Sequence, residues 1–351
     1  MAAMHKRARL FIVSLVASLT VSLLTAAVAF AQSGYHQIKK ISIPGDGFWD
    51  YLTTDPGTGR VFVSHGTEVD VVDGKKGEVV GKIAGLKLVH GIALAPEFNH
   101  GFISDGAANQ VVVFDMKTLE KVGEVAAGMN PDGIIYDPAT KRVFAFNGRS
   151  ANATAVDAEK GTLAGTVTLE GKPEFPAPDG KGHVFVNIED KHEVMDIDAK
   201  ALMVVHTWPI EGCEEPSGMA MDTKTRRIFS GCDNKVMAVM DADTGKVVTT
   251  VPIGDGVDAT WFDPGTKYVL NSCGQDGVLT VIHEDSPDKY SVVENVMTQK
   301  GARTMALNPK THTVYLAVAE VQMLPRPAGD TKGMPPRKVV PGTFGLLEFG
   351  R

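Results

Sequence analysis

Cysteine is scarce in this chain of 351 residues, with three in all, and no C-x-x-C spacing occurs. That excludes a cysteine-dense scaffold and argues against a soft-metal site built on two thiolates. Basic residues are outnumbered, 35 against 42, for a formal charge of −7. Long apolar runs are also lacking, with one exception at residues 10–30. Lys6, Arg7 and Arg9 precede that run, and Ala29-Phe30-Ala31 closes it with a small-x-small site before Gln32. Residues 1–31 therefore read as a secretory signal peptide, against the competing reading of a retained membrane anchor. No cysteine follows the site, which argues against a lipid-anchored form. Cleavage would remove three basic and no acidic residues, taking the charge from −7 to −10. Such a charge opposes binding to nucleic acid or to an anionic membrane surface. The expected product is a globular, exported chain, periplasmic or secreted, with no membrane association after cleavage.

No window longer than about ten residues carries a strong helical period, so a helical solenoid is excluded. What recurs instead is a turn anchor, usually Asp-Pro, followed by three short strands. The anchors are Asp55, Ala95, Asp137, Asp179, Asp222, Asp263 and Asn308, spaced by 40, 42, 42, 43, 41 and 45 residues. A period near 42 matches a four-stranded propeller blade. In the first unit the strands are expected at 50–54, 60–64, 68–72 and 79–84. Strand segments such as VFVSHG, VFAFNG, VFVNIE and VYLAVA are β-branched and aromatic. Turns such as DPGTGR, DGKKGE and DADTGK are rich in Gly and Asp. The last unit supplies two strands, near 303–307 and 313–318, then a Pro-rich stretch at 321–341, then one strand at 343–349. A spare strand at 36–43 precedes the first unit. Pairing it outside the last blade predicts an all-β, seven-bladed propeller over residues 32–351, closed by its two ends, with no open edge. Monomer is the expected state.

With its seven units, strand endings such as VFVSHG and VFAFNG, and D-x-x-T-G-K turns such as Asp241–Lys246, the chain resembles the exported YncE-like, or YVTN-repeat, β-propellers. The resemblance spans essentially the whole exported chain. It implies the fold but assigns no one function, since such propellers serve several roles. DNA binding occurs within the wider family; here the charge of −10 opposes it.

Equal offsets from the anchors map to equal heights in a propeller. Five residues before each anchor stand Asp50, His90, Asp132, Glu174, Ser217, Asp258 and Arg303. They are expected to ring one mouth of the central channel, with carboxyl pKa values raised by like-charge crowding and Arg303 offsetting part of it. Such a ring suits a cation or a polar, partly anionic small molecule. Ten residues after each anchor a second ring reads His65, Asp105, Asn147, Glu189 (or Asn187), Cys232, Cys273 and Val318. Glu215 is expected to overhang the mouth. His65, His90, Asp50 and Glu174, with Asp258, are candidates for a mixed N/O shell around a divalent metal ion. The bland alternative is that these polar groups tie down turns.

Residues 321–341 connect the second and third strands of the last blade, so they are expected to lie over the same mouth, extended and semi-rigid, with Arg326 and Arg337 bringing positive charge. Cys213 and Cys232 sit near antiparallel neighbours, so a Cys213–Cys232 disulfide with Cys273 free is expected. His283-Glu284-Asp285 reads as a solvated turn on the opposite face, and Trp49, Trp208 and Trp261 as packing between blades, with ligand-stacking platforms as the alternative. No phosphate loop, dinucleotide fingerprint or nucleophile elbow is present. Two functional readings follow. One is a propeller that binds a small polar molecule or an exported or envelope protein at the acidic mouth. The other is a metal-dependent lyase, lactonase or hydrolase using the same ring.

Overall fold

The computed structural model describes residues 32–45, 47–325 and 337–351. Among them are seven four-stranded antiparallel sheets and one small two-stranded ribbon. The chain is an all-β, seven-bladed propeller. Blade 1 runs through Leu52–Asp55, Arg60–His65, Glu68–Asp73 and Glu78–Ile83. Blades 2 to 6 repeat the pattern, each in simple strand order. The first strand of every blade is innermost and lies beside its counterparts in the two adjacent blades.

Burial follows position within the blade. Second strands such as Arg60–His65 and Arg142–Asn147 are buried on both faces after their first residue, because a blade packs against both neighbours. Their near-continuous apolar composition meets that demand. Fourth strands such as Glu78–Ile83 are mostly exposed or half-exposed, as an outer edge requires. Large fully buried side chains, including Phe62, Phe102, Phe144, Phe185 and Phe229, fill the interfaces between blades. Among the described residues, no helix is long and apolar enough to cross a membrane.

Blade 7 joins the two ends of the chain. Its order is Met305–Asn308, Thr313–Val318, Gly345–Gly350, then His36–Ser42 outermost. Ile41 pairs with Leu346 and Ser42 with Gly345. Gly345 is required there, since any Cβ at that position would strike the backbone carbonyl of Ile41. Ile41 and Ile43 are buried against Leu346 and Phe344 in the same apolar cluster. The Thr54 hydroxyl then donates to the Leu307 carbonyl at 2.7 Å, tying blade 1 to blade 7.

Residues 321–341 differ from the expected single extended strap. Val321–Met323 pairs with Arg337–Val339 as a short antiparallel ribbon. Backbone pairing satisfies groups that an isolated extended strap would leave to water. Arg326 and the rest of 326–336 lie outside the described residues. Glu284 also departs from expectation. It is buried rather than solvated, and it accepts hydrogen bonds from Thr225 Oγ1 at 3.0 Å and Tyr290 Oη at 3.3 Å. The third strand of blade 6 runs on to Ser286, carrying that side chain inward.

Candidate functional site

The first ring converges on one mouth. Asp50, just ahead of the innermost strand of blade 1, accepts from His90 Nδ1 at 2.7 Å. The same nitrogen lies 3.6 Å from Asp132 Oδ1. Arg303 NH2 lies 3.5 Å from Asp50 Oδ1, and its NH1 donates to Asp258. Ser217 Oγ donates to the Asp258 carbonyl at 3.1 Å and to its carboxylate at 3.2 Å. Glu174 is paired with Lys172 at 2.6 Å, and Lys172 also bonds Glu189. Lys172 sits two residues before Glu174 and was missed by counting one position per blade. Its nearness in sequence to an acidic ring member was the available signal.

Small polar side chains on the second strands hold the backbone of this ring in place. Ser104 Oγ donates to the Asp132 carbonyl at 2.6 Å, and Ser272 Oγ to that of Arg303. Asn187 Nδ2 donates to the Ser217 carbonyl at 2.8 Å, while the Asp50 N–H donates to Ser64 Oγ at 2.7 Å. Asp50, Asp132, Ser217 and Arg303 are thereby fixed from the blade behind or from their own blade.

Crowding shows in the protonation behaviour. Burial, and then the Asp50 charge, push the Asp132 carboxyl up to about 6, against the pull of His90, Lys172 and Arg303. Burial, and then the Asp132 charge, raise Glu174 to about 8, with Lys172 opposing. Burial works against the His90 imidazolium, but the hydrogen bond to Asp50 and the charges of Asp132 and Asp50 outweigh it and raise its pKa. Tyr51 lies under the ring, its phenol pushed well up by burial and by Asp132, Glu174 and Asp50. Its ring packs on Phe175 at 4.7 Å between centroids. Below them the channel is lined by Ile92, Ile134, Ile135, Pro176 and Trp261. The ring is thus a polar collar on an apolar shaft.

His65 does not join this collar. It is buried, its Nδ1 is 2.7 Å from Asp70 Oδ2, and its Nε2 accepts from the Gly47 N–H at 3.0 Å. Gly47 lies against the imidazole so closely that a Cβ would stand 2.7 Å from His65 Cδ2. The segment before blade 1 therefore covers the end of that strand and turns His65 into a turn support. Other members of the second ring behave likewise. Asp105 accepts from the Lys87 and Leu88 N–H groups, each at 3.0 Å, and Asn147 bonds Asn152 and Thr154. Cys232 forms a disulfide with Cys213, their Cα atoms 5.4 Å apart. Cys273 is free and buried, and burial pushes its thiol up to about 11. Val318 is buried, and Glu189 alone reaches the mouth.

Two recesses open at the collar. The larger, of about 790 Å³, is lined by Glu189, Glu215, Ser217, Asp258 and Gln275 among others. Glu215 overhangs it with φ of +45°, held by its N–H to His192 Nδ1 at 2.8 Å. The smaller, of about 250 Å³, has Phe48, Trp49, Leu88, Val89 and Val321 as walls and Asp50 and His90 in its lining. Arg303 and Arg337 border both. Trp49 otherwise packs on Phe344, while Trp208 stacks on His206 and Trp261 donates to the Met305 carbonyl.

No protein-family model matches the chain, and no curated protein matches it in sequence. Among solved structures it is similar to a chain of Kuenenia stuttgartiensis hydrazine synthase, with a TM-score of 0.69. The match covers 78% of this chain and 94% of that one, at 17% identity. At that identity the likeness shows the propeller fold and nothing about chemistry.

Proposed function

We propose that the protein is an exported, YncE-like propeller whose collar binds a small polar ligand. The observation that carries this reading is the convergence of Asp50, His90, Asp132, Glu174, Asp258, Arg303 and Lys172 at a partly open recess. Charged groups of both signs, held on rigid strands, offer directional contacts at little ordering cost. Carboxyl oxygens, the His90 imidazole and the Lys172 and Arg303 cations form a mixed set of acceptors and donors suited to hydroxyl, amine and carbonyl groups. The Cys213–Cys232 bond fits an oxidising compartment, consistent with export. A thermal-shift screen of the purified protein against small polar metabolites tests the proposal. A hit is expected whose shift is lost in Asp132→Asn and Glu174→Gln. A hit untouched by both substitutions, or no hit at all, overturns it.

A second reading, metal-assisted hydrolysis or elimination, is favoured by the one of two groups of potential ligand atoms among the described residues that lies at the mouth, the other being His65, Glu68 and Asp70. His90 and the carboxylates of Asp50 and Asp132 each offer a ligand atom, all within 4.8 Å of one another. An ion taking the place of the His90 proton would polarise a carbonyl or activate water. Glu174, engaged with Lys172, and His65, engaged with Asp70, are not part of that group. Stoichiometric divalent metal in the purified protein, lost in His90→Gln, is the expected result of this reading; metal-free protein that gains no stability from added divalent ions removes it.

A further inference from the structure

We infer that the smaller recess takes a monocarboxylate with a compact apolar body; this deepens the collar-binding reading and rests on it. The walls come first. Phe48, Leu88 and Val321 line the recess while 37 to 45 per cent exposed, although each is a large apolar side chain. Buried Trp49 and Val89 continue the same surface inward. Covering exposed apolar walls is favourable and needs an apolar partner. At about 250 Å³ the space has the volume of roughly eight waters at ~30 Å³ each, the scale of a small organic acid.

The polar groups then select the head. Arg303 already shares its guanidinium between Asp258 and Asp50. Arg337 carries no ion pair among the described residues, and its guanidinium carbon stands 5.6 Å from the Phe48 ring centroid. A guanidinium seated over an aromatic face is oriented and poorly hydrated, and its planar fork matches a carboxylate. Trp49, whose buried Nε1–H lacks an acceptor among the described residues, forms the inner wall. A cation without an ion pair among the described residues, beside the carboxylate of Asp50, suits one negative charge. A doubly charged head would be repelled by Asp50 and would lose too much hydration against apolar walls. An ammonium head would face Arg303 and Arg337 directly.

The test is calorimetric titration of the purified protein at pH 7 with phenylacetate and 3-methylbutanoate, against phenylacetamide, 2-phenylethylamine and isopentylamine. The acids should bind, the amide at least tenfold more weakly, and the amines not measurably. Arg337→Gln and Phe48→Ala, both at exposed positions, should each weaken acid binding about tenfold with melting unchanged. Amines binding as tightly as acids, or acids binding the two variants as well as the parent, would overturn the inference. Should other polar molecules bind through Asp132 and Glu174 while neither acid does, this inference fails and the collar reading survives. Should nothing bind, both fail.

Discussion

Asp73, Asp115, Asp157 and Asp198 end the third strands of blades 1 to 4, while Asp50, Asp132 and Glu174 precede or open the first strands of blades 1, 3 and 4. Both sets recur with the blade. Their surroundings differ. At the strand ends, the N–H groups of the next turn point at the carboxylate and hold it below its ordinary pKa, as Lys76, Thr118, Lys160 and Ala201 do in the four blades. At the mouth, no backbone N–H among the described residues bonds to Asp132 or Glu174, and burial and neighbouring acids raise both carboxyls. A repeated acid thus marks a turn where backbone donors face it, and a candidate site where other charged side chains do.

The largest effect should come from an anchor with every bond made. Asp263 is fully buried and accepts from the Gly265 N–H at 3.0 Å, Thr266 Oγ1 at 2.8 Å and His312 Nδ1 at 2.7 Å. Asp263→Ala should cost roughly 3 kcal/mol, at ~1 kcal/mol for each lost bond. Urea unfolding measures it, and a loss below about 1 kcal/mol would break the turn half of the comparison.

A smaller loss is expected at the collar. Arg303→Met removes the cation between Asp50 and Asp258 and leaves two carboxylates facing each other's field. About 1–2 kcal/mol should be lost at pH 8 and less at pH 5, where the crowded acids bind protons instead. Equal melting losses at both pH values would show that Arg303 acts by packing alone.

Blade number, ring closure and the convergence of the first-phase residues could be read from spacing, because equal offsets on a rotationally repeated unit fall at equal heights. Height was the limit of that reasoning. His65 has the right offset, yet the segment carrying Gly45 and Gly47 lies over it. That segment precedes the repeats, so no period describes it. Lys172 and Tyr51 enter the site from beside a ring position, where counting does not look. The ribbon at 321–323 and 337–339 escaped because Pro-rich composition describes its span, whereas its pairing depends on where the blade brings its two ends together.

Glu174→Gln should act in the opposite direction from the first two. The folded chain holds the Glu174 carboxyl near 8, above the unfolded value of about 4.3. The folded state therefore binds a proton that the unfolded state has released, and stability falls as pH rises from about 4 to about 8. A neutral amide removes that decline. Melting should become flatter across this range, with a gain of up to about 1 kcal/mol at pH 8, tempered because Lys172 loses one of its two partners. A steeper profile, or a loss at pH 8, would mean that the Lys172 pair outweighs the crowding.

Asp157 should show the smallest effect and the reverse pH sign. It accepts from the Glu159 and Lys160 N–H groups at 3.1 and 2.9 Å and pairs with Lys160 Nζ at 3.0 Å, all near solvent. These bonds favour the ionised form and lower its pKa. The stability they give is fully present above the unfolded value of about 3.9 and is lost as pH falls through the lower folded value. Exposure and screening keep it small, so Asp157→Ala should cost about 0.5 kcal/mol at pH 7. The difference between variant and parent should shrink steadily below pH 4. A difference that persists to pH 2 would assign the cost to the shape of the turn and not to its charge. The same titration on Glu174→Gln changes between pH 4 and 8, so the two variants together separate a carboxylate held by backbone amides from one crowded by its neighbours.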